Sequence, residues 1–352
     1  MKDILRRHSF SIAFVALLFA FFFTRPGEDN GLLQLSGNTM GTTFHLQFVT
    51  LPEGVTREDV RQQVAALLQR MDRELFSTYA ADSELSRFNA AAAGEPFAVS
   101  MELLEVAELA QDINALSNGA FDITIGPLVN LWGFGPGVNA GADVIPDDAA
   151  IAAARARVGS AYLKIDRQNS TLTRTRELYV DMSGIAKGYA VDKVAELFDQ
   201  LGITDYFLEI GGELKIRGSK PETAGWVPAI ERPVDNAPQV YQIMRTNAES
   251  LALAGSGDYR NFFERDGVRY SHEIDPRSGR PVTHNLAAAY VMDASAARAD
   301  ALATAFMILG YDQGRVLAEN NQLPVYFIYR LPDGGFGEYF SRWFEPYLVL
   351  GN

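Results

Sequence analysis

The sequence predicts an α+β fold: mixed, largely antiparallel sheets with helices packed on them. Three observations carry that expectation. Short apolar patterns of strand length recur around positions 162, 172, 180, 207, 215, 228, 241, 252, 273 and 289, and helices separate only some of them, unlike the regular alternation of a doubly wound sheet. Tyr206-Phe-Leu-Glu-Ile210 and Glu213-Leu-Lys-Ile-Arg217 flank Gly211-Gly212, two strand patterns about a glycine turn or bulge, which favours antiparallel pairing. A chain of 352 residues with 47% hydrophobic content can bury a substantial core, as one large domain or two smaller ones.

In chain order, Lys2, Arg6 and Arg7 precede an apolar run over 10–23, so residues 1–24 have the layout of a signal anchor or a signal peptide. Basic residues ahead of the run favour a cytoplasmic N-terminus and export of the rest. No clear small-x-small cleavage site precedes Arg25, which favours an uncleaved anchor over a cleaved signal. Residues 25–37, with Pro26, Gly27, Gly31 and Gly37, read as a polar tether; folded structure is expected from near Leu33, and 38–352 is assigned to a single domain opening on a strand over 42–49.

Thr56-Arg-Glu-Asp59 is a capping-box pattern, and Val60, Val64, Leu67, Met71 and Leu75 form one helical core stripe behind it. A second helix is predicted over 101–116. The Gly- and Pro-rich run 118–137 reads as loop, short helix and loop, and 139–150 as a linker rich in Ala and Asp. A buried strand over 178–180 should feed a helix that starts close to Ser183 and Gly184. A last long helix is expected over 295–309, capped by Ser295 and ended near Gly310. The C-terminal aromatics Phe336, Tyr339, Phe340, Trp343, Phe344 and Tyr347 have amphipathic spacing and read as packing.

Composition narrows the chemistry. A net charge of −13 argues against non-specific nucleic-acid binding, and the absence of cysteine excludes disulfides, thiolate nucleophiles and Cys-based zinc sites. Any metal must be held by oxygen or imidazole.

Three segments remain as candidates. Asp181-Met-Ser-Gly-Ile-Ala-Lys-Gly-Tyr-Ala-Val-Asp192 places a carboxylate, two glycines and Lys187 where a strand becomes a helix, a natural anion site; the plain alternative is a capped helix with a surface lysine. It matches neither Gly-x-Gly-x-x-Gly nor the P-loop pattern. Ser271-His-Glu-Ile-Asp-Pro-Arg-Ser-Gly-Arg-Pro281 reads as a strand entering a tight turn, with His272 and Ile274 on one face and Asp275 opening the turn. His272 can accept a proton near neutral pH or serve as a structural donor. His8 falls in the targeting segment, and His45 and His284 lack comparable context. On the last helix Asp300 and Thr304 are four residues apart, hence on one face, a half-site for a hard cation or a chance pair of polar residues. Trp132 either flanks an aromatic ligand or plugs the core.

Together, Asp181-x-Ser-Gly-Ile-Ala-Lys-Gly-Tyr-Ala-x-Asp192, Ser271-His-Glu-Ile-Asp-Pro-x-Ser-Gly-Arg-Pro281 and Ala299-Asp-Ala-Leu-Ala-Thr304 resemble the ordered signature of the ApbE family, the FAD:protein FMN transferases. Met40-Gly41-Thr42, Tyr79, Gly119-Ala-Phe-Asp-Ile-Thr124 and Gly126-Pro127-Leu128 fit the same order, so the likeness spans about 40–310. The resemblance implies a T-fold-like portion within the α+β body. It implies a magnesium-dependent enzyme with FAD as substrate, which attaches FMN through a phosphoester to a threonine, sometimes serine, of a target protein and releases AMP. Targets would be exported or membrane-bound subunits of NQR- or RNF-type electron-transfer complexes, which puts the enzyme at the periplasmic side of a bacterial inner membrane, or free in the periplasm if cleaved.

Carried over by position, Met40, Tyr79, Ala120, Phe121, Asp122, Asp181, Lys187, His272 and Ile274 would line the FAD. Asp300, Thr304 and the main-chain carbonyl of Gly184 would hold Mg2+. The base that activates the incoming hydroxyl would be His272, with Asp275 or Asp181 as competitors. Two departures stand out: there is no lipobox cysteine, and Glu213 follows Gly211-Gly212 where Asp or Asn is common. Competing activities are an FAD pyrophosphatase yielding FMN and AMP, and an exported flavin-binding carrier without chemistry.

Overall fold

The computed structural model describes residues 32–136, 145–234 and 239–349. The expected anchor and most of the tether lie outside these residues. Among the described residues no helix is long and apolar enough to cross a membrane.

The chain opens with a hairpin, β1 (Leu33–Thr39) and β2 (Thr42–Phe48), turning at Met40 and Gly41, both in the left-handed region. The last tether residues are therefore an edge strand paired along its length, because Leu35 belongs in the core that β2 also faces. Thr56 caps α1 (Arg57–Gln69) through the reciprocal box with Asp59. A π-helical turn, Arg70–Leu75, continues it. The core stripe is Val60, Val64, Leu68, Met71 and Leu75, with Leu67 only partly buried, because the wide turn resets the helical phase.

Next come α2 (Glu84–Ala90), β3 (Phe97–Ala98), α3 (Met101–Leu116), α4 (Gly126–Leu131) and α5 (Asp148–Arg155). The middle helix α3 has the expected bounds, whereas part of the expected linker lies outside the described residues and its end belongs to α5. Strands β4 (Leu163–Asp166) and β5 (Thr171–Arg174) form a small sheet with β3, in which β5 is central and pairs with both others. The expected strand over 178–180 reduces to one bridge between Ile125 and Tyr179, since its neighbour is the turn before α4 rather than another strand.

Helix α6 (Ala186–Gln200) leads to the tight hairpin of β6 (Tyr206–Ile210) and β7 (Glu213–Arg217), with both Gly211 and Gly212 at positive φ. Then follow β8 (Ala229–Glu231), β9 (Val240–Ile243), β10 (Leu251–Gly257), β11 (Phe262–Arg265), β12 (Val268–Ser271), β13 (Ile274–Asp275), β14 (Arg280–Pro281) and β15 (Leu286–Asp293). Helix α7 (Ala296–Asn320), capped by Ser295, breaks at Gly310 (φ 73) where its end was expected, then resumes. Strands β16 (Val325–Arg330) and β17 (Phe336–Phe340) complete the fold.

The main sheet has the order β1-β2-β6-β7-β10-β15-β16-β17, and its pairs are antiparallel. Its central strands are covered on both faces, so their side chains alternate between two cores. Ala252, Ala254, Ala289 and Val291 face the helices; Leu251, Leu253, Tyr290 and Met292 face the second core around Trp226 and Phe344. Small residues on the helix side let α7 lie close to β10 and β15. The C-terminal aromatics pack as expected, Phe344 being fully buried beside Tyr326.

Candidate functional site

The site forms where the turns of β1–β2 and β6–β7 meet the start of α6. Register puts them side by side: Phe44 faces Ile210, and the Gly211 N–H donates to the Thr43 carbonyl. A side chain at Gly211 would begin 2.7 Å from the Thr42 methyl and 3.1 Å from Lys187 Cδ. Glycine is thus required here both by its conformation and by the lysine stem lying over it.

Lys187 points into a set of buried acids. Its Nζ is 3.1 Å from Glu213 Oε1 and 3.7 Å from Asp300 Oδ1. Asp300 Oδ2 accepts the backbone N–H of Gly188 at 3.0 Å, and Gly188 itself exists because α6 and α7 touch there. Burial pushes the Asp300 carboxyl above its ordinary range, with Lys187 and the Gly188 N–H opposing. Burial pushes the Glu213 carboxyl up as well, again against Lys187. Burial alone would lower the Lys187 ammonium, but Asp300 and Glu213 outweigh it and raise it above the usual lysine value. On the opposite face of the sheet Glu209, whose Oε1 accepts the Gly212 N–H, is pushed by burial up to about 7.

This differs from the open anion site expected at the helix start. The Gly188 N–H is taken by Asp300, the Ala186 N–H by the Met182 carbonyl, and the Lys187 charge is opposed by two acids. Spacing could not show this, because Glu213 and Asp300 come from β7 and α7.

Gly184 sits under α7: a side chain there would begin 3.3 Å from Thr304 Oγ1 and 3.2 Å from the Phe121 ring. Thus Gly184, Phe121, Thr304, Asp300 and Lys187 converge. Met40 lies at the β1–β2 turn, partly buried against the main core. The Asp181 N–H donates to the Ile123 carbonyl and its Oδ1 accepts from the Ser183 N–H, which ties the glycine-rich loop to the start of α6. Tyr79 is 72% exposed and within electrostatic reach of Asp181.

Other candidates have structural partners. Asp122 is buried and braces its own loop, accepting from the Thr124 N–H and hydroxyl and from the Ser160 N–H; burial raises its carboxyl and those bonds lower it. Ala120 is buried beside it. Trp132 is a core plug, donating from Nε1 to the Gly279 carbonyl at 2.9 Å and stacking on Tyr270.

The strand expected through His272 is broken, since β12 stops at Ser271 and β13 begins at Ile274. His272 is therefore part-exposed while Ile274 packs with Leu128, Ile151 and Phe263, so the two do not share one environment. Asp275 is closed onto Arg277, whose backbone N–H and Nε each donate to Oδ1 at 2.8 Å and whose Nη2 donates to Oδ2. His272 has no such closure: its Nδ1 meets the Asn261 carbonyl at 3.1 Å, and Nε2 lies 3.8 Å from buried Glu273.

Three positions to which the sequence assigned no role have partners in the structure. Glu213 is the residue that departs from the common pattern, and the structure gives it to Lys187. Asp192 accepts from the Ala296 and Ala297 N–H groups and the Ser295 hydroxyl, capping α7 from α6, and pairs with Lys215 at 2.7 Å. Glu273 is a buried acid beside His272, which its polar sequence neighbours gave no signal of.

The sequence model of the ApbE family matches residues 40–327. The chain belongs to the ApbE family. It is 43% identical over 338 residues to the FAD:protein FMN transferase of Vibrio cholerae, covering 96% of this chain and 98% of that protein. The FAD:protein FMN transferase of Escherichia coli K12 is 36% identical over 315 residues, covering 89% of this chain and 87% of its own length. Among solved structures, the flavin transferase ApbE from Vibrio cholerae superposes with a TM-score of 0.81 at 43% identity, over 90% of this chain and 99% of that one. The apo form of Pseudomonas stutzeri flavinyl transferase ApbE also reaches 0.81, at 39% identity over 91% and 98% of the two chains. Membership in the ApbE family makes the protein an enzyme of the flavin transferase class, and its α+β fold with antiparallel sheets is the one expected.

Proposed function

We propose that this flavin transferase takes FAD, transfers its FMN half to a threonine or serine hydroxyl of a target protein with the help of Mg2+, and releases AMP. The observation that carries the reading is the convergence of Lys187, Asp300, Thr304 and the Gly184 loop beside the Met40 turn.

In the transfer, the acceptor oxygen bonds to the FMN phosphorus, its proton goes to a base, and the diphosphate bond breaks with its electron pair leaving on the AMP phosphate. The chain's work is to position the diphosphate and balance its charge. Lys187, held over Gly211, supplies a fixed cation. Asp300, Thr304 and the Gly184 carbonyl suit Mg2+: all are hard oxygen donors, and Thr304 Oγ1 lies against Gly184, where a larger residue would intrude. Among the described residues no three His, Cys, Asp or Glu side chains gather into a metal cluster, so this single-carboxylate set would leave positions for phosphate and water. When bound, the ion supplies neutralisation of developing phosphate charge. His272, less engaged than Asp275, suits the role of base. Subunits of NQR- or RNF-type complexes remain the proposed targets, met at the periplasmic side of the inner membrane.

The test is incubation of the protein with FAD, Mg2+ and a candidate NQR- or RNF-type subunit, followed by intact-mass analysis. A Mg2+-dependent gain of one FMN phosphoester, with AMP released and the gain lost in Asp300→Ala, supports the reading. Free FMN and AMP without an adduct would replace it with FAD hydrolysis.

A further inference from the structure

Beside the candidate base lies a buried acid. Glu273 is 3% exposed, and its Oε1 accepts the Ser256 hydroxyl at 2.6 Å and stands 3.8 Å from His272 Nε2. Ser256 is in β10 next to Gly255, which faces Tyr290 in the second core, so strand alternation turns Ser256 to the helix side, where Lys187 and Asp300 are.

His272 is held from behind. Its backbone N–H and its Nδ1 both meet the Asn261 carbonyl, at 3.0 and 3.1 Å, so Nδ1 carries the proton and Nε2 keeps its lone pair. The Phe134 ring meets the imidazole edge-on. At 3.8 Å, Nε2 is too far from Glu273 for a hydrogen bond while neutral and close enough for an ion pair once protonated.

We propose that Glu273, fixed by Ser256, is a positioning residue that holds His272 in place and stabilises its imidazolium as the acceptor hydroxyl is deprotonated. The assignment rests on the transferase reading with His272 as base. The proton moves from the acceptor hydroxyl to Nε2 as the oxygen–phosphorus bond forms, the diphosphate bond breaks towards AMP, and the proton later leaves Nε2 to solvent. The groups that bear on Glu273 are His272 on its own segment, Ser256 and Asp258 after β10, and Lys187 from α6; Asp258 is itself closed onto Arg330. Burial, the largest influence, raises the Glu273 carboxyl, and His272 and Ser256 oppose it.

The decisive measurement is an NMR pH titration of the imidazole signals in the full chain. It contains only four histidines, and His272→Gln assigns the signal. The His272 midpoint should fall in Glu273→Gln and recover in part in Glu273→Asp. Ser256→Ala, which frees the carboxylate without removing it, should give a smaller change. An unaltered midpoint in Glu273→Gln overturns the proposal. Where wild-type transfer is established, Glu273→Gln should slow it by about tenfold to a hundredfold, move the acidic limb of the kcat profile with the NMR midpoint, and leave FAD binding by flavin fluorescence unchanged. A slower enzyme with an unmoved limb and weakened FAD binding would make Glu273 merely structural and also overturn it. If the wild-type protein transfers no FMN, the transferase reading fails, and the titration still decides whether Glu273 holds His272.

Discussion

The backbone N–H of Gly188 donates to Asp300 Oδ2 at 3.0 Å, so the point where α6 crosses α7 is also the point where a candidate metal ligand is oriented. A Cβ on Gly188 would lie 2.3 Å from the Ala296 carbonyl oxygen and 2.8 Å from the Ala297 Cα, both backbone atoms that cannot swing aside. Gly188→Ala should therefore push the helices apart and destabilise the fold by about 3 kcal/mol, measured by chemical denaturation. An unchanged midpoint would show that the helix crossing is softer than these distances imply.

Asp192 caps α7 from outside that helix. In Asp192→Ala two backbone N–H groups and Lys215 lose their partner, and a loss of about 2 kcal/mol is expected in thermal or urea unfolding. Asp192→Asn, which keeps one acceptor oxygen, should recover part of it.

Lys187→Met removes the cation between Asp300 and Glu213. Transfer of FMN to a target subunit, followed by intact mass, should slow by at least about a hundredfold, while the fold survives because the two acids can take up protons. Near-wild-type transfer would remove Lys187 from the site.

Burial raises Glu209 to about 7, above the ordinary glutamate value of 4.5. A raised carboxyl keeps its proton in the folded state after the unfolded chain has lost it. Its contribution to stability is thus full below about pH 4.5 and is lost as pH rises through about 7. Unfolding free energy measured from pH 5 to 9 should decline less steeply in Glu209→Gln than in the wild-type chain. Parallel curves would contradict the assignment.

Much of the fold was readable because its signals are local. The capping box at Thr56, the helix over Met101–Leu116, the Gly211-Gly212 hairpin and the Ser295 cap each depend on residues within one turn or one pair of strands. The elements that differ are those whose state depended on the core around them. Leu33–Thr39 is a strand because Leu35 enters the main core as the segment pairs with β2, and 178–180 is not one because only Ile125 faces it.

For the site, the sequence by itself determined which residue types were available, that cysteine chemistry was excluded, and which ordered segments resemble the ApbE signature. The tertiary structure alone decided their partners: Lys187 with Glu213 and Asp300, Asp192 with the start of α7, Asp275 with Arg277, and His272 beside Glu273. The physical reason is that the charge state and reach of a buried group depend on what packs around it. Most of these partners lie on different strands and helices, joined only when the sheet and its two long helices close over them.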